Sequence, residues 1–444
     1  MTGSLESFFH VREAGSTFAR EAAAGLTTFL AMAYIVFVNP AVLSQAGMDF
    51  GAVFTATCLS AALATFVMAL AANYPVALAP GMGQNFFFVS VVLGGTATWQ
   101  QGLAAVFVAG MVFVALTFTR VRSQLIEAIP ESLKAGIAVG IGLFIALLGF
   151  VNAGLVNRNA SGPPRLGDIF SAPTLLAVVG FLVTAAFLGR GGPARPGALL
   201  FGIGASTLVA LALGLVRFQG LVGMPPSLAP TFLQMDLAGV LTPAMAPVVL
   251  VFLYMALFDA LGTLVAVGQR AGLMKDGRLV RGERALAADA TGTVMGAVLG
   301  TSTVTAYVES AAGVEAGGRT GLASLVTGAM FLACLFTAPL VRMVGGGIEL
   351  PGGAMLYPLT APALILVGAL MARGALRIAW DDPTEALPAF LVMAGIPFTM
   401  SIADGLAMGF IAYPALKVVT GRWREAPALL YALGAIFMAR YMLF

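Results

Sequence analysis

Long apolar runs alternate with short polar links along nearly the whole chain. They fall at roughly 24–45, 52–73, 77–94, 101–119, 132–151, 173–189 and 197–216, and resume after a polar, Pro-rich link at 245–269, 284–299, 301–315, 320–342, 353–372, 386–400 and 403–419, with one more at 426–444. A membrane-spanning helix needs about 20 mostly apolar residues, so the pattern predicts an all-α polytopic protein of about 14 spans. Two runs break the rule. Residues 79–88 (APGMGQNFFF) and 300–313 (GTSTVTAYVESAAG) interrupt apolar sequence with Gly, Pro, Thr, Ser and amides. Both read as short extended backbone opening into a half-helix, in the third and tenth segments. Irregular backbone survives at membrane depth only where protein buries it or where it lines a cavity, and paired interruptions in corresponding halves mark a transporter binding site.

The halves correspond at an offset of 220, which carries Gly81 onto Thr301 and Asn39 onto Asp259. Seven runs on each side of the link make the second half insert upside down, as an inverted repeat requires. With the N-terminus cytoplasmic, all of the 23 Lys and Arg except Arg158, Arg165, Arg217, Arg342 and Arg440 fall on the cytoplasmic side, in line with the positive-inside rule. The divisions expected are a cytoplasmic tail at 1–20, a first repeat at 21–216, a linker at 217–244, a second repeat at 245–420 and an extra apolar segment at 421–444, either a further span or an interfacial helix.

Composition narrows the class. Charged residues are 10% and apolar residues 59%, against about 25% charged in soluble proteins. The chain leaves room for its spans and little else, and no soluble domain is expected. The net charge of +3 belongs to cytoplasmic loops and does not point to nucleic acid. Cys58 and Cys334 sit in apolar segments without metal-type spacing and read as packing residues. His10 is the single histidine and lies in the tail, so no metal set or nucleophile pair can be built and neither cofactor nor enzyme activity is expected. Any proton coupling must fall to carboxylates. The first apolar run lacks a small-residue cleavage site and reads as a retained span.

Five segments together resemble one family: 21–40 (EAAAGLTTFLAMAYIVFVNP), 80–85 (PGMGQN), 258–263 (FDALGT), 300–321 (GTSTVTAYVESAAGVEAGGRTG) and 378–382 (IAWDD). They are similar to the AzgA-like branch of the nucleobase:cation symporter-2 (xanthine/uracil permease) family, whose members are permeases for adenine, guanine and hypoxanthine. The resemblance covers essentially the whole chain. It implies fourteen spans in two inverted repeats, a core domain at roughly 21–120 and 245–342, and a gate domain at roughly 131–216 and 350–420. It also implies proton-coupled purine uptake in a cell membrane (bacterial plasma or inner membrane), with substrate between the third and tenth spans and a homodimer formed through the gate domain. The chain departs from the family at Phe86, where alanine is usual, and a bulkier side chain there would narrow the pocket.

The residues bear on this directly. Glu309 is a carboxylate inside a span, costly at about 2.5–3.5 kcal/mol unless paired, solvated or protonated. It can accept the N–H groups along a purine edge, or pair structurally with a Thr or amide. Asp259 lies mid-span with no Lys or Arg on its flanking turns. It is a candidate for proton exchange and, by the resemblance, for the site; a helix-to-helix hydrogen bond is the other role open to it. Glu309 and Asp259 are thus the candidates for proton coupling. Asn85 can orient the base or brace the facing half-helix. Phe86, Phe87 and Phe88 can stack on a flat heterocycle or simply pack. Thr303, with Ser302 and Thr305, offers hydroxyls, and backbone N–H groups near Gly83 and Ala306 can bind carbonyl oxygens. Asp289 reads as a brace, Asp404 and Asp382 as helix starts, and Glu315 and Arg319 as an ion pair or gate contact. A transporter of the same fold for another small substrate, either uracil or xanthine or an inorganic or dicarboxylate anion, is the competing class, but no Lys or Arg lies in the two broken segments to hold an anion.

Overall fold

The computed structural model describes residues 2–119, 129–157, 164–242, 245–275, 278–350 and 355–443. Arg120, Arg122, Arg158 and the end of the linker at Pro243 and Ala244 lie outside the described residues. Every apolar run carries a helix. Nine helices among the described residues are long and apolar enough to cross a membrane, from Phe18–Ala46 to Ile402–Val419, and the chain is a multi-pass, mostly helical membrane protein. Gly282–Leu299 carries Glu283, Arg284 and Asp289, while Ala361–Met371, Pro383–Thr399 and Ala428–Leu443 are shorter.

Polar residues at the ends set where the helices begin. Asp49 accepts the Ala52 N–H, Thr98 and Gln101 form a reciprocal capping box, and Ser401 accepts the Asp404 N–H. Asp382 accepts the Thr384 N–H at the start of Pro383–Thr399. These contacts satisfy backbone donors that a helix leaves unpaired in its first turn.

Two groups of helices pack within themselves. Phe18–Met32 and Phe50–Val67 both pack on Gly321–Cys334, and Gly282–Leu299 packs on Phe50–Val67 and Trp99–Thr117. In the second group Glu131–Asn152 lies between Ala361–Met371 and Pro383–Thr399, and the latter packs on Ile402–Val419. Gly136 and Gly368 let backbones touch there: a Cβ on Gly136 would stand 2.7 Å from the Ala389 carbonyl oxygen, and one on Gly368 2.4 Å from that of Gly142. Small residues at such contacts allow close helix approach without a hydrophobic driving force between helices.

At the centre of the first group, Leu78–Pro80 and Val304–Ala306 form a two-stranded antiparallel sheet, with Leu78 opposite Ala306 and Pro80 opposite Val304. All six residues are buried. Their backbones bond to each other and to neighbouring side chains, as extended chain in a dry interior must. The strands correspond at a displacement of 226 residues, and Asn39 and Asp259, matched by the offset of 220, have different surroundings. Three further two-residue hairpins close loops at 156–166, 274–279 and 348–356.

Two segments that read as polar connections are docked. In the tail, Phe9 and Val11 are buried against Ala69 and Leu322, and the Asn73 side chain donates to the Phe9 carbonyl (2.9 Å). The linker lies across helix ends: the Leu233 N–H donates to the Val298 carbonyl (2.9 Å), the Gly223 N–H to that of Phe336 (2.8 Å), and the Thr55 hydroxyl to that of Pro226 (2.9 Å).

Candidate functional site

Gly81 ends the first strand in extended backbone, and the Met82–Leu93 helix starts immediately after it. The second strand is approached differently. Gly300 closes Gly282–Leu299 at φ 91°, with Thr231 atoms 2.3–2.5 Å from where a Cβ would be, so both its conformation and its surroundings require glycine. Past the strand, Glu309 is the residue before the short Ser310–Glu315 helix.

The two broken segments are stitched together beyond the sheet. The Gly81 N–H donates to the Thr303 carbonyl (2.8 Å), the Tyr307 N–H to that of Ala77 (3.0 Å), and the Tyr307 hydroxyl to that of Pro80 (2.5 Å). Each strand also has its own brace. Thr65 both accepts from the Leu78 N–H (2.9 Å) and donates to its carbonyl (3.1 Å). Asp289 accepts from the Ala306 N–H (2.7 Å) and the Thr305 hydroxyl (3.1 Å), and Thr293 donates to the Val304 carbonyl (3.1 Å).

A cavity of about 860 Å³ opens beside this crossing. Gly81, Met82, Gly83 and Gln84 line it from the first segment, and Thr305 to Glu309 from the second. Tyr254, Phe258, Asp259 and Thr263 come from Ala246–Arg270, and Lys134, Ala138 and Ile141 from Glu131–Asn152. The cavity therefore lies between the two helix groups. Asp259 is exposed to it and Glu309 is half-exposed. Tyr34 donates to Glu309 Oε1 (3.0 Å), and Gln84 Nε2 donates to Asp259 Oδ2 (3.2 Å). Toward one end Lys134 pairs with Glu131 (2.8 Å) and stands over the Phe258 ring, which is parallel to that of Tyr254. Glu131, Asp259 and Glu309 outnumber Lys134 and Arg377 among the charged lining residues. Such walls, apolar with a few convergent polar groups, suit a small, flat ligand.

The structure brings Glu309, Asp259, Gly83, Thr305 and Ala306 to the cavity and places Asn85, Phe86, Phe87, Ser302 and Thr303 behind it. The Ala306 N–H is already taken by Asp289, so it is not a donor for a ligand. Asn85 is fully buried, donating to Asn39 Oδ1 (2.5 Å) and accepting from the Ser302 hydroxyl. Asn39 in turn donates to Thr57 (2.7 Å) and Thr301 (2.9 Å). This lattice of neutral groups locks the two segments from the side away from the cavity. Phe86 and Phe87 are buried and meet Phe144 and Phe252 edge-on, which is packing. Thr303 is buried without lining the cavity. Glu315 pairs with Arg270 (2.9 Å), and Arg319 donates to the Val314 and Gly318 carbonyls. Gln84, Tyr34 and Lys134 are lining residues that the sequence did not single out. Gln84 stands directly beside Asn85 in the same broken run, and that adjacency was its signal.

The profile of the Permease family matches residues 19–408. The chain is 44% identical over 452 aligned residues to the guanine/hypoxanthine permease PbuG of Bacillus subtilis, covering 99% of both chains. It is 42% identical to the adenine permease AdeQ of Escherichia coli, covering 100% of this chain and 97% of that one. Among solved structures, the transmembrane domain of the cyanobacterial bicarbonate transporter BicA superposes with a TM-score of 0.63 at 16% identity, over 88% of this chain and 96% of that one; the likeness is one of fold. With the family profile across most of its length and permeases as full-length relatives, the chain belongs to the xanthine/uracil permease (nucleobase:cation symporter-2) family and is a transporter, not an enzyme.

Proposed function

We propose that the protein imports purine nucleobases (adenine, guanine or hypoxanthine) by proton symport with alternating access. The observation that carries this reading is the convergence of Asp259 and Glu309 on one cavity beside the crossing of the two broken segments. Two carboxylates beside the crossing, with Lys134 already paired to Glu131, suit a neutral ring rich in N–H donors, and the permeases named above transport such rings. Each carboxylate can hold a proton, and an intramembrane acid facing a cavity is a natural relay.

Fourteen spans in two inverted repeats, with the N-terminus cytoplasmic, are the topology that goes with this reading. The helices at 21–120 and 245–342 then form the core, those at 131–216 and 350–420 form the gate, and a homodimer would pair through the gate. Movement of one group against the other exposes the cavity to each side in turn. The anion alternative gains no support here, because likeness to a bicarbonate transporter extends only to fold and the acids outnumber the bases.

Uptake of radiolabelled hypoxanthine, guanine and adenine into proteoliposomes tests the proposal. Accumulation driven by an inward proton gradient and abolished by a protonophore is expected. Uptake indifferent to the protonophore would remove the coupling, and uptake of bicarbonate or uracil in place of all three purines would remove the substrate class.

A further inference from the structure

Gln84 is 1% exposed and lies in the first turn of Met82–Leu93, on the cavity wall. Its amide is only half used. Nε2 donates to Asp259 Oδ2 (3.2 Å), the orientation that the ionised form of Asp259 requires, since a carboxylate accepts and does not donate. Oε1 is buried and has no hydrogen-bond partner among the described residues. It lies over Gly81, where a Cβ would stand 2.1 Å away. The segment thus lacks a side chain at the one place where the Gln84 carbonyl needs room. A buried acceptor without a donor costs its full desolvation and calls for an explanation.

We infer that Gln84 is a substrate-recognition residue whose Oε1 accepts an N–H of the bound base, while Nε2 holds Asp259 in place. This rests on the purine reading above. The amide can turn about its last side-chain bond, a broad torsion, bringing Oε1 off Gly81 toward the cavity; Nε2 turns with it, and the Asp259 side chain follows to keep their bond. Occupation then supplies the donor that the empty wall lacks. A ring with an N–H at that edge is accepted, and one bearing a lone pair or a methyl group there is rejected, because it leaves the amide oxygen unpaired. Gln84 therefore sets specificity on the amide side of the pocket as Glu309 does on the acid side. It also links ligand contact directly to the carboxylate proposed to carry the proton.

Binding of hypoxanthine and its 1-, 7- and 9-methyl derivatives to the purified full-length protein, measured by calorimetry, tests this. For the wild type, one methylated position should weaken binding about tenfold or more, as expected for a buried polar group left unpaired. Gln84→Met should bind hypoxanthine about 5- to 20-fold more weakly and reduce that one penalty to about twofold, with the other two penalties unchanged. Gly81→Ala, which displaces the amide without removing it, should give the same pattern, and ligand-free melting temperatures report whether each variant is folded. Variants that match the wild type in hypoxanthine affinity, or that keep all three penalties, overturn the role of Gln84 while leaving purine transport standing. A wild type that binds no purine overturns both. If Gln84→Met does not fold, the Gly81→Ala pattern alone decides.

Discussion

The two broken segments perform the same structural task with different chemistry. Each sends one polar side chain into the cavity and another into the lattice behind it: Gln84 and Asn85 from the first, Glu309 and Ser302 from the second. The first is neutral throughout, with amides for its functional groups and the Thr65 hydroxyl as its brace. The second carries an acid of its own, Glu309, toward the cavity, and its brace from behind, Asp289 of Gly282–Leu299, is an acid as well. The second segment thus brings an acid and an acidic brace where the first brings adaptable amides, one of which holds Asp259 of Ala246–Arg270. A neutral ligand with several N–H groups is matched by that division; a simple anion is not.

Substitutions can break or sharpen this contrast. The largest effect is expected from Glu309→Gln: a hydrogen bond to a charged group contributes about 1.5–3 kcal/mol, so purine affinity should fall about 10- to 100-fold in a binding titration. Asn85→Ala and Asp289→Ala come next, and both act on stability. Each strips partners from buried groups, costing about 1–3 kcal/mol, and the melting temperature in detergent should drop while the folded fraction still binds ligand. An Asn85→Ala protein with normal melting but with affinity as poor as Glu309→Gln would put that amide in the pocket and undo the division drawn here. Thr65→Val should cost less, about 0.6 kcal/mol, the average for a hydrogen bond between membrane helices.

The smallest effect lies away from the crossing, in a charged cluster at the end of the second helix group. Hydrogen bonds from Thr384 and Arg422 hold the Asp382 carboxyl down at about 2, and those from Arg422 and Lys417 hold Glu425 at about 2. A carboxylate depressed in the folded state adds stability that is present above its ordinary value near 4 and is lost as pH falls through the depressed one. The melting-temperature difference between wild type and Arg422→Gln should therefore stay constant from pH 8 to 5 and shrink below about pH 4. A difference that grows in acid would contradict it.

Helix positions were largely legible, because alternation of apolar runs and polar links is a strong, local signal. The breaks at 79–88 and 300–313 were legible for the same reason, as were Glu309 and Asp259, two acids in apolar surroundings. Three things were not. Pairing of Leu78–Pro80 with Val304–Ala306 is antiparallel and joins positions 224 to 228 residues apart, which the motif match at an offset of 220 does not reveal. Which of two adjacent amides lines the cavity depends on about 100° of helix rotation, and Met82–Leu93 is apolar on nearly every side, so nothing marked Gln84 over Asn85. Docked tail and linker were also unreadable: Phe8, Phe9 and Val11 form an apolar cluster too short to mark a span, and only tertiary contact explains the burial of Phe9 and Val11.

The three facing pairs of the central sheet also act as a ruler. Side chains on a strand alternate faces, so a slip of one position would turn Thr305 away from Asp289 and hand that carboxylate a different neighbour. A slip of two would restore the alternation yet carry Glu309 about 7 Å along the strand direction, out of reach of Tyr34. The depth at which this acid sits in the bilayer is thus set by a ladder three rungs long, and the bonds from Thr65, Asp289 and Tyr307 act as stops that keep it from sliding.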